Sequence, residues 1–348
     1  MTRDEAFRRA CGVLEASAIE DPALEAEVIL RHTLNIDRAS FYAERGADLT
    51  ATQEAEYTAR VNQRAGGMPG AYIIGNREFY GLQFFVDDSV LIPRPETELL
   101  VEKAIEIARG YEAPRIADIG TGSGAIAISL AIKLPHSTII ATDISRRALD
   151  TARRNCERHR TGDRVLLCQG ELLEPVTHPV DIIVANLPYV RTADLPGVNT
   201  SGWEPRIALD GGDDGLDIIR RLCSQVCTRL KPGGSLLMEI GDGQRDAVVG
   251  ILHDLFPSTA TREVQITETP NLYGDLNYHS GGGQNPAGKG DCKLDSSLRW
   301  NDKPWFFSSE DGRKSTTSQM ARVLNTQIDV FPDLAGIDRV VCMTLPHK

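Results

Sequence analysis

The sequence predicts an α/β protein: a small N-terminal helical domain, then a parallel sheet covered by helices on both faces. Three observations carry this. Apolar residues recur at helical spacing through residues 3–66. From residue 114 onward, short apolar runs alternate with amphipathic stretches, the pattern of a wound parallel sheet. The first of those runs leads into a glycine-rich loop, Gly120-Thr121-Gly122-Ser123-Gly124, where a strand passes into a helix.

In chain order, Ala6, Cys11, Val13 and Leu14 give a first apolar helix face. Asp21-Pro22 opens a second helix, with proline at a tolerated first-turn position, and Leu24, Val28, Ile29 and Leu34 continue it. A third helix is predicted near 51–64, and together they assign a small helical domain to residues 1–70. Tyr72-Ile73-Ile74-Gly75 and Phe79 to Val86 are rich in aromatic and β-branched residues broken by glycine, so 71–92 is predicted to be a hairpin linker. Pro93-Arg94-Pro95-Glu96-Thr97-Glu98 is predicted to start a helix, proline fixing the entry and the acidic residues suiting the positive end of the dipole.

The second domain is assigned to 93–348. Its strand candidates are Arg115–Ile119, Thr138–Thr142, Arg164–Cys168, Val180–Ala185 and Ser235–Ile240, with helices at 124–133, 145–158, 214–230 and 243–255. Residues 270–322 break this pattern. The glycine-rich stretch His279–Pro286 and the polar sequence after it predict an irregular insertion at about 262–322, with Trp300, Trp305, Phe306 and Phe307 anchoring it to the domain or docking a partner. Strand character resumes at Arg339–Met343.

Bulk properties narrow the function class. The chain has 348 residues, 41% hydrophobic and 25% charged, as for a globular protein. No run approaches the length of a membrane span, and the start is a charged amphipathic stretch, so a cytoplasmic protein, expected to be a monomer, is predicted. The net charge of −11 counts against tight nucleic-acid binding, which needs clustered Lys and Arg. The seven cysteines are odd in number and scattered, which argues against a disulfide framework. Cys223 and Cys227, one helical turn apart, are expected to be buried core thiols rather than a metal pair. His32, His136, His159, His178 and His253 show no metal-binding spacing, and no metal is predicted.

The loop from Gly120 to Gly124 follows Asp118-Ile119. Glycines let a backbone turn tightly and approach a ligand, and the helix start offers free N–H donors. The spacing is Gly-x-Gly-x-Gly rather than the dinucleotide pattern Gly-x-Gly-x-x-Gly, which favours S-adenosylmethionine over a pyrophosphate. Asp143 ends the second strand, where a carboxylate can accept both ribose hydroxyl protons; merely capping the next helix is its bland alternative. Glu171 follows the third strand and is assigned to the adenine region. Gly120, Thr121, Gly122, Ser123, Gly124, Asp143, Glu171 and Asn186 form the expected cofactor set.

Asn186-Leu187-Pro188-Tyr189 sits behind the apolar run Val180–Ala185, at the sheet edge where open α/β folds bind ligands. The Asn186 side-chain oxygen can accept one N–H of a planar substrate amide or amine, and the Leu187 carbonyl the other. Pro188 holds Leu187 extended, and Tyr189 is expected to pack on the planar group. These four are the predicted catalytic residues. Beside the glycine loop they outweigh the plainer reading of a turn after a strand.

These residues resemble the HemK/PrmC family of protein-(glutamine-N5) methyltransferases, which modify peptide chain release factors. The resemblance covers residues 1–256 and the last twenty or so. It is carried by Gly75–Gly81, Leu91–Glu98, Asp118–Gly124, Asn186–Tyr189, Glu204–Leu209, Met238–Gln244 and Asp333–Val341, with Pro-Arg-Pro-Glu-Thr-Glu the most discriminating segment. It implies a Rossmann-like class I S-adenosylmethionine-dependent methyltransferase sheet of seven strands, with an N-terminal domain that helps grip the release factor. The implied substrate is the glutamine of the Gly-Gly-Gln loop, bound by Asn186 and the carbonyl at 187. Two departures stand out. Leu187 replaces a family proline, keeping a carbonyl but losing ring rigidity. The family runs almost directly from the helix near 243–255 into its final strand pair, whereas here about sixty residues intervene, so either Arg262–Thr267 or Thr326–Val330 could be the sixth strand; the second is favoured because family-like Asp333–Val341 follows it. The alternatives are a nucleic-acid amino-methyltransferase and a non-catalytic relative that binds cofactor or release factor.

Overall fold

A computed structural model of the chain describes residues 1–197, 202–256, 260–263 (backbone only) and 326–346. Residues 1–265 and 323–348 belong to one compact unit. The insertion readings, including the four aromatics between Trp300 and Phe307, lie outside the described residues.

Five helices come first: α1 (Arg3–Ala16), α2 (Pro22–Leu34), α3 (Arg38–Ala43), α4 (Ala51–Ala65) and α5 (Gly70–Ile74). Capping boxes start two of them. The Thr2 hydroxyl accepts from the Glu5 N–H while Glu5 accepts from the Thr2 N–H, and Thr50 and Gln53 repeat the exchange at α4. Leu14, Ile29, Leu30, Phe41, Tyr57 and Val61 bury their side chains together in the middle of this bundle.

The hairpin is shorter than predicted. Its arms are β1 (Asn76–Phe79) and β2 (Leu82–Phe85), paired antiparallel. Tyr72-Ile73-Ile74 is helical instead. Pro69 fixes the entry of that turn and Gly75, at φ 68°, ends it in the left-handed region, so local boundaries outrank β-propensity. Helix α6 (Thr97–Ala108) also departs from expectation. It begins only at Thr97, and Pro93-Arg94-Pro95-Glu96 forms the approach to it, because residues before a proline are steered away from helical angles.

The main sheet has eight strands: β3 (Arg115–Ile119), β4 (Thr138–Asp143), β5 (Val165–Gln169), β6 (Val180–Ala185), β7 (Leu230–Glu239), β8 (Ala260–Glu263), β9 (Gln327–Pro332) and β10 (Asp338–Thr344). Their order is β5-β4-β3-β6-β7-β10-β9-β8. Strands β5 to β7 run parallel, and β10 is antiparallel to both β7 and β9. The family resemblance implied seven strands, and the two candidates for the sixth competed. In the structure both segments contribute: Gln327–Pro332 pairs with β10, and Ala260–Glu263 adds an edge strand parallel to it.

Helices α7 (Ala125–Lys133), α8 (Arg146–His159), α9 (Asp217–Arg229) and α10 (Arg245–Leu255) complete the layers. Alternate residues of the central strands feed opposite faces, as the pleat requires. Ile116, Ile182 and Val184 pack with α6, α7 and the hairpin residues Phe79 and Phe84. Ala117, Ile119, Ile183 and Ala185 pack with α9 and α10. On α9, Ile219, Leu222, Cys223 and Val226 are buried, so Cys227 faces out and is exposed; the expectation that both cysteines are buried fails by one helical position.

Strand order places the site. The sheet winds one way from β3 through β4 and β5, and the other way through β6 and β7, and Ile119 is in register with Ala185. The loops leaving β3 and β6 therefore diverge at neighbouring strand ends, which opens a crevice.

Phe84 is fully buried where the hairpin meets the α6–α7 layer. Phe84→Ala is expected to cost about 3–5 kcal/mol of stability, read as a lower urea midpoint. An unchanged midpoint would show that the hairpin is not docked through this ring.

Candidate active site

The crevice is a cavity of about 1030 Å³. It is lined by Gly120, Thr121, Gly122 and Ser123 after β3, by Asp143 after β4, by Glu171 after β5, and by Asn186, Leu187 and Pro188 after β6. Nine of the predicted site residues thus share one hollow. Gly124 and Tyr189 do not line it.

The glycine loop is a conformational necessity. Gly120, Gly122 and Gly124 have φ of 71°, 55° and 80°, in the left-handed region that side chains disfavour. The three positions differ in their surroundings. A Cβ on Gly120 would press on Leu187 Cδ2 at 3.3 Å, and one on Gly124 would meet Ile128 at 3.1 Å and Ala152 at 3.3 Å. Gly124 therefore serves close packing of α7 against α8, which corrects its assignment to the cofactor. At Gly122 nothing lies within 4 Å, so the loop is open to the cavity there.

Buried polar groups hold the loop. The Thr121 hydroxyl and Ala127 N–H donate to Asp118 Oδ2 at 2.6 and 3.2 Å. Burial pushes the Asp118 carboxyl up to about 7. The Gly122 N–H donates to Asp143 Oδ2 at 2.9 Å and the Ser145 N–H to Oδ1 at 2.8 Å. Asp143 thus clamps the loop and the start of α8 while still lining the cavity, and burial raises its pKa. Asn155, fully buried, donates to the carbonyls of Ser123 and Phe85 at 2.8 and 3.0 Å, tying the glycine loop to the hairpin. Glu171 reaches the cavity wall in an ion pair with Arg221. Beside Asp143, half-exposed Ile144 and buried Leu172 give the same region apolar walls.

The Asn186 side chain donates from Nδ2 to Thr97 Oγ1 at 2.9 Å. Among the described residues no donor is recorded for its Oδ1, which leaves an acceptor for a ligand. The Leu187 side chain is buried, packing into the core beneath Gly120. The turn is held from behind: Gln244 Nε2 donates to the Tyr189 carbonyl at 2.9 Å, and the Val190 N–H donates to the Leu209 carbonyl at 3.0 Å. Tyr189 was expected to pack on a substrate group. Its ring instead lies against Gly241, and its hydroxyl donates to Glu239 Oε1 at 3.4 Å. The chain direction after Pro188 carries it under the sheet edge.

Several wall residues went unnoticed in the sequence as site residues: Pro93 from the approach to α6 and Thr97 at its start, with Ser89, Ile144 and Ile207. The dense Pro-Arg-Pro-Glu-Thr-Glu segment was the available signal. Three of its polar members, Arg94, Thr97 and Glu98, have long-range partners. Arg94 pairs with fully buried Glu204 at 2.6 Å, and the other Glu204 oxygen accepts the Ile92 N–H at 3.0 Å. Glu98 accepts the Tyr80 N–H at 2.8 Å, fixing the hairpin turn.

An open apolar-walled cavity with a glycine turn, a carboxylate at the next strand end and a free carboxamide oxygen can seat a nucleoside-type cofactor beside a planar nitrogen. Comparisons with known proteins agree with that chemistry. The PrmC N-terminal domain family model matches residues 5–75 and the Methyltransferase small domain model residues 95–197. Release factor glutamine methyltransferase of Moorella thermoacetica is 43% identical over 250 residues, covering 71% of this chain and 88% of the relative. The protein of the same name from Geobacter sulfurreducens is 40% identical over 263 residues (75% and 90%), and that from Koribacter versatilis 41% over 258 residues (73% and 91%). The similarity runs through the helical bundle, the glycine loop and the Asn186 turn alike, and by it the chain belongs to the release factor glutamine methyltransferase family.

Proposed function

We propose that this chain transfers a methyl group from S-adenosylmethionine to the side-chain amide nitrogen of the glutamine in the Gly-Gly-Gln loop of a peptide chain release factor. The observation that carries this reading is the Asn186 carboxamide, held by Thr97 in the same cavity as the left-handed glycine loop. The family's named activity supplies the substrate class. The helices of residues 1–70 are proposed to help grip the release factor, and 93–348 to form the methyltransferase domain.

The residues present fit the cofactor. Gly122 leaves its side of the loop open, Asp143 offers carboxylate lone pairs to ribose hydroxyls, and Ile144 and Leu172 offer apolar walls to a base. Glu171, paired with Arg221, borders that region. Bound S-adenosylmethionine supplies an electrophilic sulfonium methyl.

An amide nitrogen is a poor nucleophile because its lone pair is delocalised into the carbonyl. Asn186 Oδ1 accepts one N–H of the substrate amide and the Leu187 carbonyl the other, orienting the nitrogen and enriching it in electron density. Orientation contributes up to ~7–11 kcal/mol, against roughly 3–5 kcal/mol for general-base help of ~10²–10⁴-fold. Positioning therefore outweighs proton abstraction, and the site needs no dedicated base. Pro188 restricts Leu187 to extended angles, so the carbonyl is held although residue 187 is itself not proline.

Incubation with cofactor and a release-factor domain bearing Gly-Gly-Gln is expected to add one methyl to the glutamine-containing peptide, read by mass spectrometry, and Asn186→Ala is expected to abolish it. An unmodified domain in the presence of the wild-type chain would reject the reading. Asp143→Ala is expected to weaken cofactor binding by roughly ten- to hundredfold in calorimetry, the loss of hydrogen bonds to a charged acceptor. Leu187→Pro is expected to keep kcat within about tenfold of the parent, since a carbonyl performs the task. A complete loss of turnover in a folded Leu187→Pro protein would show instead that the leucine side chain is needed.

A further inference from the structure

Helix α9 grips the loop after β5 with two side chains, and one of them has no part in the reading above. Strand β5 ends at Gln169, and Gly170, Glu171 and Leu172 line the cavity behind it. The backbone of this loop is fastened at three points. The Gly170 N–H donates to the Asp143 carbonyl at 3.1 Å, the Thr142 hydroxyl to the Leu172 carbonyl at 2.9 Å, and the Leu173 N–H to Gln225 Oε1 of α9 at 3.1 Å. The Leu173 side chain is buried in the same cluster as Leu222, Cys223 and Val226. The Glu171 side chain is held differently. Its carboxylate forms an ion pair with Arg221, which also lines the cavity.

The placement of Arg221 follows from the packing of its helix. Ile219, Leu222, Cys223 and Val226 are buried, and that burial fixes the rotation of α9. Arg221 and Gln225 stand one turn apart and so share a face. Gln225 takes the backbone of the loop and Arg221 its side chain. A glutamate at a cavity wall has three rotatable bonds and water to bond, so ordering it for a ligand costs conformational entropy. A neighbouring guanidinium orders it beforehand. An ionised carboxylate only accepts, at about four lone-pair sites, so a pair with arginine leaves acceptor positions for a ligand. Next to the apolar walls of Ile144 and Leu172, such an acceptor favours a base that carries an N–H donor on its edge. Adenine has one in its exocyclic amino group.

We propose that Arg221 is a positioning residue for the base of the cofactor: it holds the Glu171 carboxylate ready to accept from the adenine amino group, and so sets the preference of the cavity for an adenosyl ligand. The inference rests on the proposed assignment of Glu171 to the adenine region. It requires no movement of the loop, because Asp143, Thr142 and Gln225 hold the backbone independently of Arg221. The two side chains are 48% and 36% exposed, so removing either strands no buried charge and leaves the fold intact.

Calorimetry on the full-length chain tests this with two probes: S-adenosylhomocysteine, and its purine-riboside analogue, which lacks only the exocyclic amino group. The parent is expected to prefer the first, because a site built around an N–H donor rejects the analogue without it. Arg221→Ala is expected to weaken S-adenosylhomocysteine about tenfold, the equivalent of one hydrogen bond, and to leave the analogue within about twofold. Arg221→Lys, which keeps the charge but not the planar fork, should fall between parent and alanine variant. In a Glu171→Ala background, adding Arg221→Ala should change neither affinity, since the arginine acts through the carboxylate. Equal weakening of both probes by Arg221→Ala, or an unchanged affinity for S-adenosylhomocysteine, overturns the proposal. A parent that shows the preference yet methylates no release factor keeps this inference and rejects the substrate reading. A parent that methylates the factor but binds both probes alike does the reverse.

Discussion

Three left-handed residues in a five-residue turn are the constraint on which the rest of the molecule depends. Strand β3 ends buried at Ile119 and α7 starts at Ala125, and the backbone between them must reverse without filling the crevice beside it. Only residues lacking a Cβ adopt φ near 55–80° cheaply at Gly120, Gly122 and Gly124. Because the turn is tight, Leu187 can close on Gly120 from the neighbouring strand end, and the two loops share one cavity. The buried carboxyl of Asp118 and the clamp from Asp143 hold that geometry before any ligand arrives.

The Pro-Arg-Pro-Glu-Thr-Glu segment supplies the second layer of support. Arg94 fastens the loop after Trp203 through Glu204, Thr97 fastens Asn186, and Glu98 fastens the hairpin turn. Removing one partner of a buried, hydrogen-bonded charge pair such as Arg94–Glu204 strands the other without compensation. These side chains project from the approach to one helix and from its first turn, so the spacing among their targets is set by the start of α6. Geometry at the reacting end is thus inherited from a segment that mostly stands outside the chemistry.

What the sequence disclosed follows from range. Strands such as Arg115–Ile119 and Val180–Ala185 were legible because an apolar run between turn residues has few other fates, and the glycine loop and Asp143 because strand ends in a wound sheet converge. Local boundaries were less legible. Two prolines looked like a helix start but form its approach, and an aromatic stretch became helical between Pro69 and Gly75. Tyr189 was misplaced because its ring direction depends on Glu239 and Gly241, fifty residues away, and Gly124 because its neighbour is Ala152 on another helix. Thr97 and Asn186 meet across 89 positions of sequence, so no motif window contains them together.

The far margin of the sheet tells a different story. Strand β8 ends at Glu263 and β9 begins at Gln327, and three paired strands, β9, β10 and β7, stand between β8 and β6. The two strand ends that flank the intervening sequence lie on this outer hem of the sheet, and neither belongs to β3 or β6. Such a hem is a natural port for appended length: the chain can be lengthened there, by evolution or by an engineer fusing a reporter, while the registers that shape the cavity remain the work of other strands.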